Sequence, residues 1–299
     1  MELVFELVAL IGTALALVLL IRNSVRQGRI QPALYMTIAY FSTFWLEPAY
    51  DWGLYAVFGS RFVRLPTWGY LGATPNGLPV VAGPAYAVYF LAGSATAVAA
   101  ANVLNRRLGV PRPFALLIAG YAFGLLADLI VESVGTRTHM WEFTRAAPWF
   151  VLFGGTPEQI PLAMPVGMGI AFMLATYLLG MVGGRFLPAE WSRRFAGRRH
   201  GTLSTLLISI GAFNAVMAVA LVPYLVNRAA GWITVASRPT DAVDSHAMPI
   251  AAAVYVVWFA AMAGAATIAA ATQNSAGAGT GVQPEEPTPV AGQPVKTDT

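Results

Sequence analysis

Two pairs of carboxylates lie within apolar stretches of this 299-residue chain, and the members of each pair are one helical turn apart. Asp128 and Glu132 lie in FALLIAGYAFGLLADLIVESV (114–134), and Glu47 and Asp51 lie in ALYMTIAYFSTFWLEPAYDW (33–52). Residues at i and i+4 share one face of a helix. An ionisable side chain within a membrane is costly and therefore marks a functional site by default. Paired carboxyl groups suit general acid–base chemistry, so these four are the candidate catalytic residues.

The composition is that of an integral membrane protein. It is 57% hydrophobic and only 11% charged, with a mean hydropathy of +0.62, whereas soluble domains carry about 25% charged residues. Long uncharged runs favour an all-α fold over a membrane β-barrel. The chain has no cysteine, which excludes disulfides, thiolate metal ligands and cysteine nucleophiles. The arginines lie in short loops between apolar runs, so membrane topology explains the basic charge without a nucleic-acid partner.

Seven transmembrane helices are predicted within a single domain, residues 1–272. Residues 273–299 are rich in Gly, Pro, Ser and Thr and predict a disordered tail. Most of the 18 Lys and Arg fall in the loops after the first, third and fifth spans or in the tail. By the positive-inside rule the N-terminus is then outside the cell membrane, and the C-terminus is cytoplasmic. The predicted spans are 3–21, 33–58, 79–101, 114–134, 158–182, 203–226 and 247–271.

This topology places the carboxylates at one depth. Glu47 and Asp128 each lie about 14 residues, or about 21 Å, beyond the cytoplasmic start of their spans. Asp51 and Glu132 lie one turn further out, and Glu158 begins the fifth span on the outer side. The carboxylates are therefore predicted to form one layer in the outer third of a hydrocarbon core about 30 Å thick.

Each of these features also has a purely structural interpretation. In the functional interpretation, Pro48 interrupts the helical hydrogen bonds of the second span and exposes backbone to a cavity. In the structural interpretation, the span simply ends at Leu46, and Glu47 lies among the lipid headgroups. Asp128 and Glu132 could pair with Arg137 for structure alone. A negative charge is favoured at the start of a helix, which is the alternative role for Glu158.

A second set of residues around this layer is predicted to bind substrate. Its tryptophans form an interfacial belt or, alternatively, shield a cationic intermediate with their ring faces. Asn214, midway along the sixth span, is expected to form hydrogen bonds within the bundle. No histidine spacing supports a metal site of Asp128, Glu132, His139 and Glu158, and no metal or other cofactor is predicted. The candidate substrate-binding residues are Trp52, Trp68, Asn76, Arg137, His139, Trp141, Glu142, Glu158 and Asn214.

Four segments carry a resemblance to a known family. They are EPAYDW (47–52), TWGYLGATPNGLPVVAGPAY (67–86), DLIVE (128–132), and WEF with LFGGTPEQIPL (141–162). Together they resemble the spirocyclase family typified by the avermectin spiroketal cyclase, which consists of actinobacterial integral membrane proteins. The resemblance implies cofactor-independent, acid-promoted closure of lipophilic hydroxy-ketones into spiroketals, sometimes with dehydration, in polyketide secondary metabolism.

Two other functional classes are compatible with the same residues. A membrane terpene cyclase of the meroterpenoid type would use these Glu and Asp residues on a hydrophobic polyene. A proton-coupled small-molecule transporter would use intramembrane carboxylates to relay protons. The chain has no evident inverted repeat, and one layer of carboxylates does not form a path across the membrane, which disfavours the transporter. The sequence does not indicate an oligomeric state.

Overall fold

The computed structural model describes residues 1–65, 78–180, 185–196, 201–230 and 233–234. Within these ranges the chain is mostly helical, which confirms the all-α prediction. A 3₁₀ helix, Ser42–Leu46, joins the second and third α-helices. The α-helices are α1 (Glu2–Arg26), α2 (Pro32–Phe41), α3 (Glu47–Leu54), α4 (Ala82–Leu108), α5 (Arg112–Arg137), α6 (Ala163–Leu179), α7 (Leu187–Ala196), α8 (Thr202–Ala220) and α9 (Val222–Ala230).

Among the described residues, four helical stretches are long and apolar enough to cross a membrane: α1, α4, α5, and α8 together with α9. They correspond to the first, third, fourth and sixth predicted spans and are longer, because their ends continue into arginine-containing segments. The long aliphatic stem of arginine lets a helix extend while its charge stays at the helix end. The seventh predicted span and the tail lie outside the described residues.

The second predicted span is not one continuous helix. It is divided into α2, the 3₁₀ helix and α3. The helical segment ends at Leu54 instead of the predicted residue 58, because the next residue, Tyr55, adopts a left-handed conformation (φ 56°). Pro48 has no N–H to continue the hydrogen bonds of a preceding helix, but it is well tolerated in the first turn of a new one. Glu47 and Asp51 therefore lie on a short helix of their own.

Three further boundaries differ from the prediction. The fifth span begins at Ala163 instead of residue 158, because the preceding residues pair as strands, and at 17 residues it is shorter than a typical span of about 20. The sixth is interrupted at Leu221, just before Pro223, and continues to Ala230. The basic loop after the fifth span contains a helix, α7.

In the part of the chain that the structure describes, eight short β-strands, which the sequence did not predict, connect the helices at one end of the bundle. They form antiparallel pairs β1·β4, β2·β3, β5·β8 and β6·β7. Strands of two or three residues are too short to show a period-2 pattern. The strands are β1 (Ala56–Phe58), β2 (Arg64–Leu65), β3 (Leu78–Pro79), β4 (Trp141–Phe143), β5 (Arg145–Ala146), β6 (Val151–Leu152), β7 (Ile160–Pro161) and β8 (Ile233–Thr234).

Close packing of α5 on α6 depends on glycine. A Cβ atom at Gly120 or Gly124 would lie 2.7 Å from the Phe172 carbonyl oxygen and Cβ, respectively, so any larger residue would force the helices apart. The Phe172 ring continues the contact to α4, with its centroid 4.6 Å from that of Phe90. Helices α4, α5 and α6 therefore pack closely against one another.

A candidate acid–base site in an apolar cavity

A cavity of about 420 Å³ lies between α1, α3, α4 and α5, and four carboxylates line it. Glu47 and Asp51 reach it from α3, and Asp128 and Glu132 reach it from α5. The last three are buried, with 4%, 1% and 3% of their surface exposed, and Glu47 is partly buried. Most of the other lining residues are apolar. The structure thus brings together the two pairs that the sequence predicted at one depth.

Helix α9 holds α3 in place at its C-terminal end. A Cβ atom at Gly53 would lie only 2.9 Å from Cβ of Tyr224, so the two helices approach closely. The Asn227 amide donates a hydrogen bond to the Gly53 carbonyl (3.4 Å). The Arg228 guanidinium lies 4.4 Å from the ring centroid of Trp52 and donates to its carbonyl oxygen (3.3 Å). A positive charge at a helix C-terminus is stabilising, and these contacts fix the direction of the α3 carboxylates.

Two of the carboxylates accept hydrogen bonds from aromatic side chains. The Trp141 indole Nε1 donates to Oε2 of Glu132 at 2.7 Å, a length typical of a charge-assisted bond. The Tyr86 hydroxyl donates to Oε2 of Glu47. Glu132 and Glu47 are therefore each held in one orientation by a donor from another element.

The other two carboxylates retain an oxygen atom that is available to a ligand. Oδ2 of Asp51 and Oδ2 of Asp128 are buried without a hydrogen-bond partner among the described residues, as is the hydroxyl of Tyr50. The Tyr89 hydroxyl lies beside Asp128 without completing a hydrogen bond. Leaving such an atom unpaired costs about 1–3 kcal/mol. The cavity is thus complementary to a ligand that carries hydroxyl or carbonyl groups.

No cation balances the four carboxylates within the described lining, which contains no Lys, Arg or His. Asp51 is close enough to Glu47 and Glu132 to interact with both electrostatically. Four unbalanced negative charges in an apolar cavity would be very unfavourable, so some of these groups hold protons. The site therefore provides proton donors and proton acceptors side by side.

Trp141 reaches the cavity because β4 pairs with β1. Phe58 is opposite Trp141 and Ala56 is opposite Phe143 in this pair, and all four line the cavity. Side chains alternate between the two faces of a strand, so Glu142 points away from it. Any Cβ atom at Gly135 would overlap the Trp141 ring. Glycine at this position of α5 lets the indole cross the helix and reach Glu132.

Helix α1 closes one side of the cavity and is anchored at two points. The Thr13 hydroxyl donates to the Pro84 carbonyl (2.6 Å), and Oε1 of Glu6 accepts from the Val63 backbone N–H (3.0 Å). Glu6 is a buried carboxylate that the sequence analysis missed, although Glu2 and Glu6 have the same i, i+4 spacing. Arg64, which follows Val63 in the chain, is buried in β2, and burial lowers the pKa of its guanidinium.

The structure places most of the other predicted residues away from the cavity. Arg137 lies over the Phe153 ring (5.7 Å), and His139 is exposed in a turn with φ 60°. Asn214 accepts a hydrogen bond from the Trp45 indole (2.8 Å) and donates to the Ser42 hydroxyl (3.0 Å), so it joins α8 to the 3₁₀ helix. The predicted substrate-binding residues outside the lining are Trp52, Arg137, His139, Glu142, Glu158 and Asn214, while Trp68 and Asn76 lie outside the described residues.

Tyrosines are the functional candidates that sequence analysis did not identify. Tyr50, Tyr86 and Tyr89 all line the cavity. Tyr86 and Tyr89 are one turn apart in an apolar helix, which is the only pattern that could have indicated them. Within the described residues no cluster of three or more His, Asp or Glu could hold a metal ion.

A comparison with models of known protein families identifies the family of this chain. The model of the family described as "Spirocyclase AveC-like" matches residues 25–248. The chain belongs to the AveC-like spirocyclases. The match contains all four cavity carboxylates together with Trp141, Tyr86 and Tyr89, and most of α1 precedes it. Membership indicates an enzyme of the cyclase type. No curated protein and no solved structure matches the chain.

Proposed function

We propose that this AveC-like spirocyclase is a membrane-embedded enzyme that closes a lipophilic hydroxy-ketone into a spiroketal by acid–base catalysis. The observation that carries the proposal is the convergence of four carboxylates from α3 and α5 on one apolar cavity. Two of them, Asp51 and Asp128, retain an oxygen atom without a hydrogen-bond partner among the described residues. A neutral substrate with hydroxyl and carbonyl groups satisfies these atoms without bringing a charge into the cavity.

The hydrogen bonds divide the four carboxylates into two roles. A donated hydrogen bond stabilises an ionised carboxylate, so Glu132 and Glu47, which accept from Trp141 and Tyr86, are assigned as proton acceptors. Asp51 and Asp128, each with an unpaired oxygen, are assigned as proton donors. This division gives each helix one acid and one base, one turn apart.

The reaction follows from these roles. An aspartic acid protonates the ketone oxygen while a glutamate takes the proton of the attacking hydroxyl, and a C–O bond forms to give a hemiketal. The glutamate, now protonated, gives its proton to the hemiketal hydroxyl, which leaves as water. A second hydroxyl attacks the resulting oxocarbenium ion to close the second ring, and its proton returns to the ionised aspartate. Overall, one dihydroxy-ketone gives one spiroketal and one water. The faces of Trp141, Phe143 and Phe58 stabilise the positive charge of the intermediate.

The proposed arrangement in the membrane has seven spans, with the N-terminus outside and the C-terminus in the cytoplasm. The four helical stretches of sufficient length support this arrangement. The excess of arginine in the loops after the first, third and fifth spans, at the end of the bundle away from the strands, also supports it. The cavity then lies toward the outer face of the cell membrane, among membrane lipids, where a lipophilic substrate is concentrated.

Turnover of a synthetic lipophilic dihydroxy-ketone in detergent micelles tests this function. Asp128→Asn and Glu47→Gln should each lower the rate by about 10²–10⁴-fold, the usual contribution of a general acid or base. Mass spectrometry would follow the loss of water. Glu158→Gln and Glu142→Gln are matched controls, since neither residue lines the cavity, and they should retain the wild-type rate. Wild-type rates in both cavity variants would refute the proposed site.

Native mass spectrometry and lipid extraction identify the natural substrate class. An oxygenated, ketone-bearing ligand that accumulates in Asp128→Asn but not in the wild type would support spiroketal formation. A hydrocarbon polyene would instead indicate a terpene cyclase. Uptake that requires a proton gradient in reconstituted vesicles, with no conversion in detergent, would indicate a transporter.

A further inference from the structure

The cavity extends beyond the carboxylates as a groove along α4, between α1 and α5. Its lining continues from Tyr86 and Tyr89 through Val88 and Ala92 to Thr96. The distance from Tyr86 to Thr96 along the helix is about 15 Å. The carboxylates lie at one end of the groove only, and the rest of its described lining is uncharged.

Among the described residues, nothing covers the groove on the side of the bundle that faces the lipids. Ala92 and Thr96 line the cavity and are also exposed. On α1, Val8 also lines the cavity, and 65% of its surface is exposed. On a helix that crosses a membrane, this exposed surface faces the hydrocarbon of the lipids. The cavity is therefore continuous with the lipid phase through a lateral opening.

The walls of the groove are set by close packing on both sides. A Cβ atom at Gly12 would lie 3.3 Å from Val88, so α1 approaches α4 closely at this point. At Gly93, any Cβ atom would overlap the rings of Phe123 and Phe172, and Phe123 forms the wall on α5. The Thr96 hydroxyl donates to the Ala92 carbonyl (2.9 Å), which leaves its methyl group as an apolar contact.

We propose that this groove binds the apolar chain of the substrate, which enters sideways from the membrane. The polar, ketone-bearing end then lies at the carboxylates, and the chain lies along α4 between Val8 and Phe123. The identity of the polar end rests on the proposed function; the lateral entry rests on the groove itself. The substrate class is accordingly a single-chain lipid-like molecule with its oxygen atoms at one end.

The test uses a long-chain alcohol with a photoreactive diazirine on its chain, added to the full-length protein in phosphatidylcholine vesicles. After illumination, mass spectrometry should find the label on residues 88–96 and on Phe123. Ala92→Trp fills the groove and should reduce this labelling about tenfold, equivalent to about 1.4 kcal/mol of binding free energy. Ala95→Trp is the matched control, because Ala95 is exposed in the same turn but does not line the groove, and it should leave the labelling unchanged.

Equal losses in the two tryptophan variants would overturn the proposal, and so would labelling spread evenly over the lipid-facing helices. A photo-cross-link from a benzophenone maleimide attached at Ala92→Cys to residues 247–271 would also overturn it, because the groove would then be filled by the chain itself. Binding is measured here without turnover, so the labelling of the two tryptophan variants tests the entry route independently of catalysis. Full activity in Asp128→Asn would overturn the catalytic proposal, while a loss of labelling confined to Ala92→Trp would still support the entry route.

Discussion

The hydrogen bond between Trp141 and Glu132 makes a quantitative prediction about the charge of the site. Trp141→Phe removes the donor but keeps a ring against Phe5 and Phe58, whose centroids lie 6.0 and 6.3 Å from it. Glu132→Met removes the acceptor at similar length. The coupling free energy between the two changes, measured by a double-mutant cycle, isolates the bond from the packing that each change disturbs.

The expected coupling follows from the geometry. Both residues are buried and the bond is short, at 2.7 Å, so a charge-assisted bond should contribute about 1.5–3 kcal/mol. Neutral hydrogen bonds between membrane helices average about 0.6 kcal/mol. The two cases are far enough apart to be distinguished by experiment. A coupling above about 1.5 kcal/mol would show that Glu132 is ionised in the resting protein, as its role as a base requires.

Reversible unfolding in mixed micelles, followed by far-UV circular dichroism, gives the four free energies of unfolding. Trp149→Phe combined with Glu132→Met serves as a control, because Trp149 is exposed and does not line the cavity. This pair should be additive within about 0.5 kcal/mol. A coupling near 0.6 kcal/mol for Trp141 and Glu132 would refute the assignment of Glu132 as the base, and full additivity would refute the bond itself.

Three further predictions concern the residues that position the carboxylates. Gly135→Ala should displace the Trp141 ring and lower turnover, whereas Gly211→Ala, which has open space around it, should leave turnover unchanged; a normal rate in Gly135→Ala would contradict the role of that close contact. Tyr86→Phe should destabilise the protein by about 1–3 kcal/mol, because an oxygen of the partly buried Glu47 loses its donor. Tyr50→Phe removes a hydroxyl without a described partner and should not destabilise the protein. Thermal unfolding of the two variants compares these effects. Asn227→Ala removes hydrogen bonds to the Gly53 carbonyl and the Ala147 N–H, and it should lower kcat by a larger factor than it raises KM. A larger change in KM than in kcat would instead place Asn227 in substrate binding.

The sequence predicted the features that depend on local spacing. The pairs Glu47/Asp51 and Asp128/Glu132 were recognised because helical geometry alone puts i and i+4 on one face. The long apolar runs identified α1, α4 and α5 for the same kind of reason, since a run of about 20 apolar residues has few alternatives to a spanning helix.

The features that it did not predict depend on contacts between distant segments. Trp141 binds Glu132 only because β4 pairs with β1 and because Gly135 leaves room for the indole. Tyr86 could be recognised as a partner of Glu47 only once the first turns of α3 and α4 were brought together. The 3₁₀ helix before Pro48 was also missed, because the proline marks a break but does not determine what precedes it.

The pairing of β1 with β4 separates two properties of the cavity. Its proposed chemistry rests on carboxylates on α3 and α5, but part of its shape comes from the inward-facing side chains of this pair, Ala56, Phe58, Trp141 and Phe143. Of these four, the structure shows only Trp141 bonded to a carboxylate. Exchanges at the other three alter the size of the chamber while the proton-transfer groups stay on their helices. A protein built in this way can acquire new substrates by changes in a short connecting ladder, and directed evolution toward other ring sizes should begin at those three positions.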